Sequence, residues 1–150
     1  MPYFARRLTI AGARGVVLFN RFYQPDIDVE DLDLVRTLHL SDSSELLLRL
    51  RWLAMLSGRT PMSLAASGGV HTSLDAVKAM MAGAGAVQLV SALLRHGPGH
   101  LRAVIEGVHR WLEEHEYASL AQLTGSMSLA RCPDPSAYER ANYMTLLQSF

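Results

Sequence analysis

Three apolar blocks along the chain are too short to be helices. Val16-Val17-Leu18-Phe19, Met62-Ser63-Leu64-Ala65-Ala66 and Ala86-Val87-Gln88-Leu89-Val90 lack period-two alternation. A strand covered on both faces reads this way. Each block follows a helical pattern closed by glycine, at Gly12 or Gly15, at Gly58, and at Gly83 or Gly85. Longer stretches carry helical spacing and start signals. Asp42 and Glu45 form an N-cap pair ahead of a helix from Glu45 to Ser57. Thr72 and Asp75 have capping-box spacing before Leu74–Ala82. Leu101, Val104, Ile105, Val108 and Leu112 lay one apolar stripe along His100–Glu116. Ser119 and Gln122 repeat the capping pattern before a short helix. Past the break Cys132-Pro133-Asp134-Pro135, a last helix is expected from about Ser136 to Gln148.

Strands alternating with helices predict parallel βαβ units with right-handed crossovers. The fold class expected is therefore α/β, with about three parallel strands and a helical extension at the C-terminal end. The chain reads as a single domain over 1–150, with a helical tail over 118–150. The step from Val16 to Met62 is much longer than the step from Met62 to Ala86. Its surplus, from Arg21 to about Ser41, holds Pro25 and acids at Asp26, Asp28, Glu30, Asp31 and Asp33. It reads either as a functional loop or as a solvated insertion.

Composition narrows the classes. Fourteen basic residues balance fourteen acidic ones in 150, so no basic face is available for nucleic acid. One cysteine, Cys132, excludes an internal disulfide. No apolar run approaches the roughly 20 residues of a membrane span. MPYFARRLTI lacks the apolar core of a signal peptide, so a cytoplasmic location is expected. The six histidines are not spaced as a ligand set with carboxylates, and no metal site is expected.

The most chemical segment is Ala66-Ser67-Gly68-Gly69-Val70-His71-Thr72, between a strand end and a helix start. Two glycines allow close approach of the main chain to an anion, and the helix start offers free N–H groups. The alternative is a tight turn shaped by packing. The next strand ends in Val90-Ser91-Ala92, which a (β/α)8 barrel would place in the neighbouring loop, where phosphate sites form. His71 reads as a phosphate contact or, more simply, as a surface histidine. Met80, Met81 and Trp52 read as core, and Trp111 as half exposed. Cys132 reads as an inert thiol.

ASGGVHTSLDAVKAMMAGAGAVQLVSALLRHGP resembles the last two βα units of the dihydroorotate dehydrogenase family, FMN enzymes built on a (β/α)8 barrel. AGARGVVLFNRF resembles the family's sixth strand, and the tail from Trp111 resembles the dihydroorotate dehydrogenase-like branch. Pro2-Tyr3-Phe4 echoes the end of the fifth strand. The resemblance implies a partial TIM barrel holding the C-terminal units of an oxidoreductase of pyrimidine metabolism. It implies FMN phosphate held at Gly68, Gly69, Val90 and Ser91, with Ala92 beside them, and Asn20 near the substrate. Asn20 alternatively reads as a strand-end cap. Val90 stands where the family often has glycine, and Arg21 where it has a small hydroxyl residue. The family's catalytic base and its flavin-contacting lysine fall outside the matched units. No catalytic residue is therefore assigned, and Lys78, inside a helix, is no substitute. The expected function is the FMN-phosphate-binding portion of an enzyme moving hydride from dihydroorotate or a related dihydropyrimidine to FMN, inactive alone. The alternative is a non-catalytic flavin- or phosphate-binding subunit that completes an interface. Open sheet edges imply self-association or pairing with a chain that carries the missing half-barrel.

Overall fold

The computed structural model describes residues 1–20, 24–138 and 147. Three parallel strands form one sheet: β1 (Gly15–Leu18), β4 (Ser63–Ser67) and β5 (Ala86–Gln88), in the order β1-β4-β5. A separate antiparallel pair, β2 (Asp26–Asp28) and β3 (Asp33–Val35), lies between β1 and β4 in sequence. The helices are α1 (Pro2–Ile10), α2 (Leu46–Leu56), α3 (Ser73–Ala82), α4 (Ser91–His96), α5 (His100–Glu114) and α6 (Leu120–Leu123). The expected parallel α/β architecture is therefore present.

Several boundaries and elements differ from the sequence reading. Pro2-Tyr3-Phe4 begins α1 and is not a strand end. Part of the acidic stretch is the β2–β3 hairpin, with Ile27 opposite Leu34. Asp28 turns that hairpin by accepting the N–H groups of Glu30 and Asp31. Alternating acids and apolar residues over three positions are too short a pattern to declare themselves as strands. Ser91, expected at a strand end, opens the unforeseen α4. The cap at Asp42 serves a short 3-10 turn, Ser43–Glu45, whose Ser44 N–H it accepts, and α2 follows. Of the expected C-terminal helix, the described part is a 3-10 turn at Pro135–Tyr138. Most of the remainder lies outside the described residues, as does Arg21.

The other start signals work as chemistry predicts. Thr72 Oγ1 accepts Asp75 N–H, and the Asp75 carboxylate returns to Thr72 N–H, closing a full capping box on α3. Ser119 Oγ accepts Gln122 N–H, while the Gln122 side chain takes Ala118 N–H, one residue before the cap.

The core lies between the sheet and helices α2, α3 and α5. Leu18, Leu64 and Ala66 from the strands meet Leu46, Leu53, Ala54, Ala76, Val77, Val104 and Val108. Trp52, Met80, Met81 and Trp111 pack against this core while remaining partly exposed. Helix ends leave carbonyls without partners. The chain after α6 meets this need: Gly125 and Met127 donate to Met80 and Met81 at the end of α3, and Leu129 donates to Ala54 of α2. Tyr138 fastens the tail further, donating to Met127 O, while Arg51 Nε donates to Tyr138 O.

Candidate functional site at the strand ends

Parallel register brings the C-terminal ends of the three strands to one level. Leu18 pairs with Ala66, and Ala66 with Val87. Two residues beyond Leu18 is Asn20, and two beyond Ala66 is Gly68. A cavity of about 290 Å³ opens there, lined by Asn20, Gly68, Gly69, Val90 and Ser91. Five of the six residues singled out in sequence thus surround one space. The sixth, Ala92, is buried and does not line it.

The Gly68-Gly69 turn has two sides. Both residues are left-handed, at φ +84 and +82, a conformation costly for a side chain. Their missing side chains face α2. A Cβ on Gly69 would lie 2.4 Å from Leu46 N, and one on Gly68 would lie 2.9 Å from Nη2 of Arg49. Packing alone therefore requires glycine here, whatever the other side binds. The parallel pairing of Ser67 with Gln88 directs the Gly68 N–H to Gln88 O, whereas among the described residues the main-chain N–H groups of Gly69, Ser91 and Ala92 make no hydrogen bond. Val90, at φ −119, sits in a conformation open to any residue, so a glycine is not needed there.

The start of α3 is a different matter. Its capping box engages the N–H groups of Thr72 and Asp75, two of those expected to be free. The Asp75 carboxylate also accepts His71 N–H and the Ser43 hydroxyl. Burial works to raise its pKa, but these donated hydrogen bonds outweigh burial and hold it below the ordinary value of 3.8. The negative charge at this helix start is therefore supplied from within.

His71 is neither exposed nor a lining residue. It is buried, and its Nε2 sits 3.2 Å from Ser41 Oγ. Burial first, then the nearby Arg95 charge, push its pKa down. His100 Nε2 bonds to His71 O at 2.7 Å. His96 and His100 are on separate helices, yet their rings lie 4.8 Å apart. Among the described residues, no group of three or more His, Cys, Asp or Glu gathers as a ligand set. Lys78 is exposed on α3, away from the cavity. Cys132 is half-buried in the tail.

The sequence reading missed the segment Leu38-His39-Leu40-Ser41, which walls the cavity opposite the glycines. It is strapped to α4 twice: Ser41 N–H donates to Ser91 Oγ, and Arg95 Nη2 donates to Leu40 O. The contacts are 50 and 55 residues apart in sequence, so no local pattern announces them.

Fold and site together define a portion of a (β/α)8 barrel whose strand ends present a glycine turn with an unpaired N–H at Gly69. The sequence model of the family described as Dihydroorotate dehydrogenase matches residues 49–112. The chain is 36% identical over 118 residues to a protein of Aeropyrum pernix named for dihydroorotate dehydrogenase A (fumarate), covering 77% of this chain and 39% of that one. It is 32% identical over 123 residues to a dihydroorotate dehydrogenase (quinone) of Erythrobacter litoralis, covering 80% and 36%. The crystal structure of ligand-free DHODH from Eimeria tenella superposes at a TM-score of 0.66 and 22% identity, over 83% of this chain and 35% of that one. The chain belongs to the dihydroorotate dehydrogenase family and spans a little over a third of the length of these relatives. Among the described residues, no helix is long and apolar enough to cross a membrane.

Proposed function

We propose that the chain is the FMN-phosphate-binding portion of a dihydroorotate dehydrogenase-like oxidoreductase. The observation that carries this reading is the convergence of Asn20, Gly68, Gly69, Val90 and Ser91 on one cavity at the ends of three parallel strands. The unpaired N–H groups of Gly69, Ser91 and Ala92 suit a phosphate, which accepts several hydrogen bonds at once. At about 290 Å³ the cavity falls just below the usual range for small-molecule sites, roughly 300–1,000 Å³. It suits the phosphate end of FMN, and the flavin ring would need walls beyond these residues.

When bound, FMN supplies the hydride-accepting chemistry. The chain's own residues bind and orient. Gly69 would donate a main-chain hydrogen bond to the phosphate from one strand end, with Gly68 keeping the turn open beside it, and Ser91 and Ala92 would donate from the next. The Ser91 hydroxyl accepts Ser41 N–H and keeps its own O–H to donate, so Ser91 can offer both its N–H and its O–H. Asn20 offers an amide, a donor and an acceptor, to a dihydropyrimidine at the third strand end. Among the described residues that line the cavity, His39, on the strapped segment, is the one general-base candidate. We therefore expect no turnover by this chain alone, and activity only with the strands that complete the barrel. Dihydroorotate or a related dihydropyrimidine is the substrate class.

The test is a visible absorption spectrum after mixing with FMN and desalting. Retained flavin absorbance at near-stoichiometric amount supports the reading. A folded chain that emerges colourless overturns it.

A further inference from the structure

Equal charge over the whole chain hides a local imbalance. Residues 1–25 and 46–72 contain no aspartate or glutamate, yet they supply Arg6 and Arg59 among their basic residues. These segments build α1, α2 and the turn before β4. Where α1 lies against the end of α2, a groove of about 270 Å³ opens, lined by Arg6 and Arg59. Among the described residues, neither guanidinium makes a hydrogen bond or an ion pair. Ala5 and Leu56, 4% and 2% exposed, form an apolar floor. Thr9 on one wall faces Thr60 on the other, their hydroxyl oxygens 3.4 Å apart. The Thr9 hydroxyl already donates to Ala5 O, and a hydroxyl has one hydrogen, so Thr60 is the donor of this pair. Met62 N–H donates to Thr60 Oγ1 and holds that side chain in place. At 3.4 Å the bond to Thr9 is weak, and the Thr60 hydrogen can turn to a better acceptor in the groove.

Two unpaired guanidiniums with no acid in either wall favour an oxyanion, which a planar fork of N–H groups meets well. Two are too few to track a nucleic-acid backbone, whose affinity is built from many phosphate contacts. The buried apolar floor favours a ligand that also carries an apolar body. The volume, below the roughly 300–1,000 Å³ of drug-sized sites, keeps that ligand small. We propose that this groove binds a small amphipathic oxyanion, with its head between Arg6 and Arg59 and its apolar body on Ala5 and Leu56. The Thr60 hydroxyl donates to the head. Thr60 and Pro61 of the groove precede β4, whereas Gly68 of the strand-end cavity follows it. The length of β4, roughly 16 Å, separates the two, so the ligand does not compete for that cavity. The site stands whether or not FMN binds.

The test is titration of the full chain with hexanoate, read from amide chemical shifts by NMR. The expected result is saturable shifts at Thr9, Arg59 and Thr60, with Gly68 and Gly69 unmoved. Hexanol has a comparable body without the charge, and acetate has the head with hardly any body. Each should bind about fivefold more weakly or worse. Arg6→Gln and Arg59→Gln should each weaken hexanoate binding by about fivefold or more. Both side chains are exposed, so the fold should survive, which circular dichroism checks. Hexanoate that leaves Thr9 and Thr60 unmoved overturns the proposal. Hexanol binding as tightly as hexanoate does so too, because the groove would then be apolar only. Acetate binding as tightly also overturns it, because the floor would then play no part. Parental affinity in either folded variant has the same force. If one variant does not fold, the other decides.

Discussion

Gly69 shows how one residue can serve packing and chemistry through opposite sides. Its left-handed backbone and its 2.4 Å approach to Leu46 N both forbid a side chain. Gly69→Ala should lose about 3 kcal/mol or more, combining a left-handed penalty of about 1–2 kcal/mol with overpacking. Urea unfolding measures this. Loss of ligand in that variant would accompany loss of structure, so Gly69 is a poor probe of the cavity. Asp75 carries a second prediction. Its folded pKa is depressed below 3.8, so its contribution is present above that value and lost as pH falls through the folded pKa. His71, also depressed, from 6.5, adds a loss that begins higher, as pH drops below that value. Asp75→Asn should cost about 1–3 kcal/mol at neutral pH by weakening the capping hydrogen bonds. It should also flatten the most acidic part of the stability profile, measured as unfolding free energy from pH 7 to pH 3.

At the scale of elements, legibility followed distance along the chain. The cores of β1, β4 and β5 and the starts of α3 and α6 were readable because apolar runs and caps are written within a few residues. The Thr72–Asp75 box spans three residues, and the structure builds it in full. The strap of residues 38–41 was not readable, because its two anchors on α4 are 50 or more residues away. Pro2-Tyr3-Phe4 resembled a strand end, yet proline in the first turn and the local i→i+4 bonds make it a helix. Ser91→Ala removes the acceptor of Ser41 N–H. We expect the Ser41 amide to exchange with deuterium about fivefold faster or more, the equivalent of roughly 1 kcal/mol for one partly buried hydrogen bond. Unchanged exchange at Ser41 would mean that Arg95 holds the segment by itself.

For the whole molecule, the sheet has β1 and β5 at its two edges. Among the described residues neither carries a second partner strand. Val17 of β1 is 45% exposed, and the hairpin leaves Ile27 and Leu34 exposed as well. Such edges and apolar patches invite further chains. Sedimentation velocity across a hundredfold dilution should show self-association that falls on dilution. A coexpressed polypeptide carrying the complementary strands should suppress it and raise flavin retention.

By itself the sequence determined the parallel α/β class, the glycine turn between β4 and α3, and the family. These depend on local pattern, on backbone conformations few residues adopt, and on order along the chain. Only tertiary structure decided what the local signals were for. It turned the side-chain-free face of Gly69 toward Leu46, gave the start of α3 to Asp75, and buried His71 against Ser41. It set Arg49 against the strand end, where its Nε donates to Ser67 O, 18 residues further on. Each of these outcomes depends on which groups meet across the packed core, and that depends on register and helix placement rather than on neighbours in the chain.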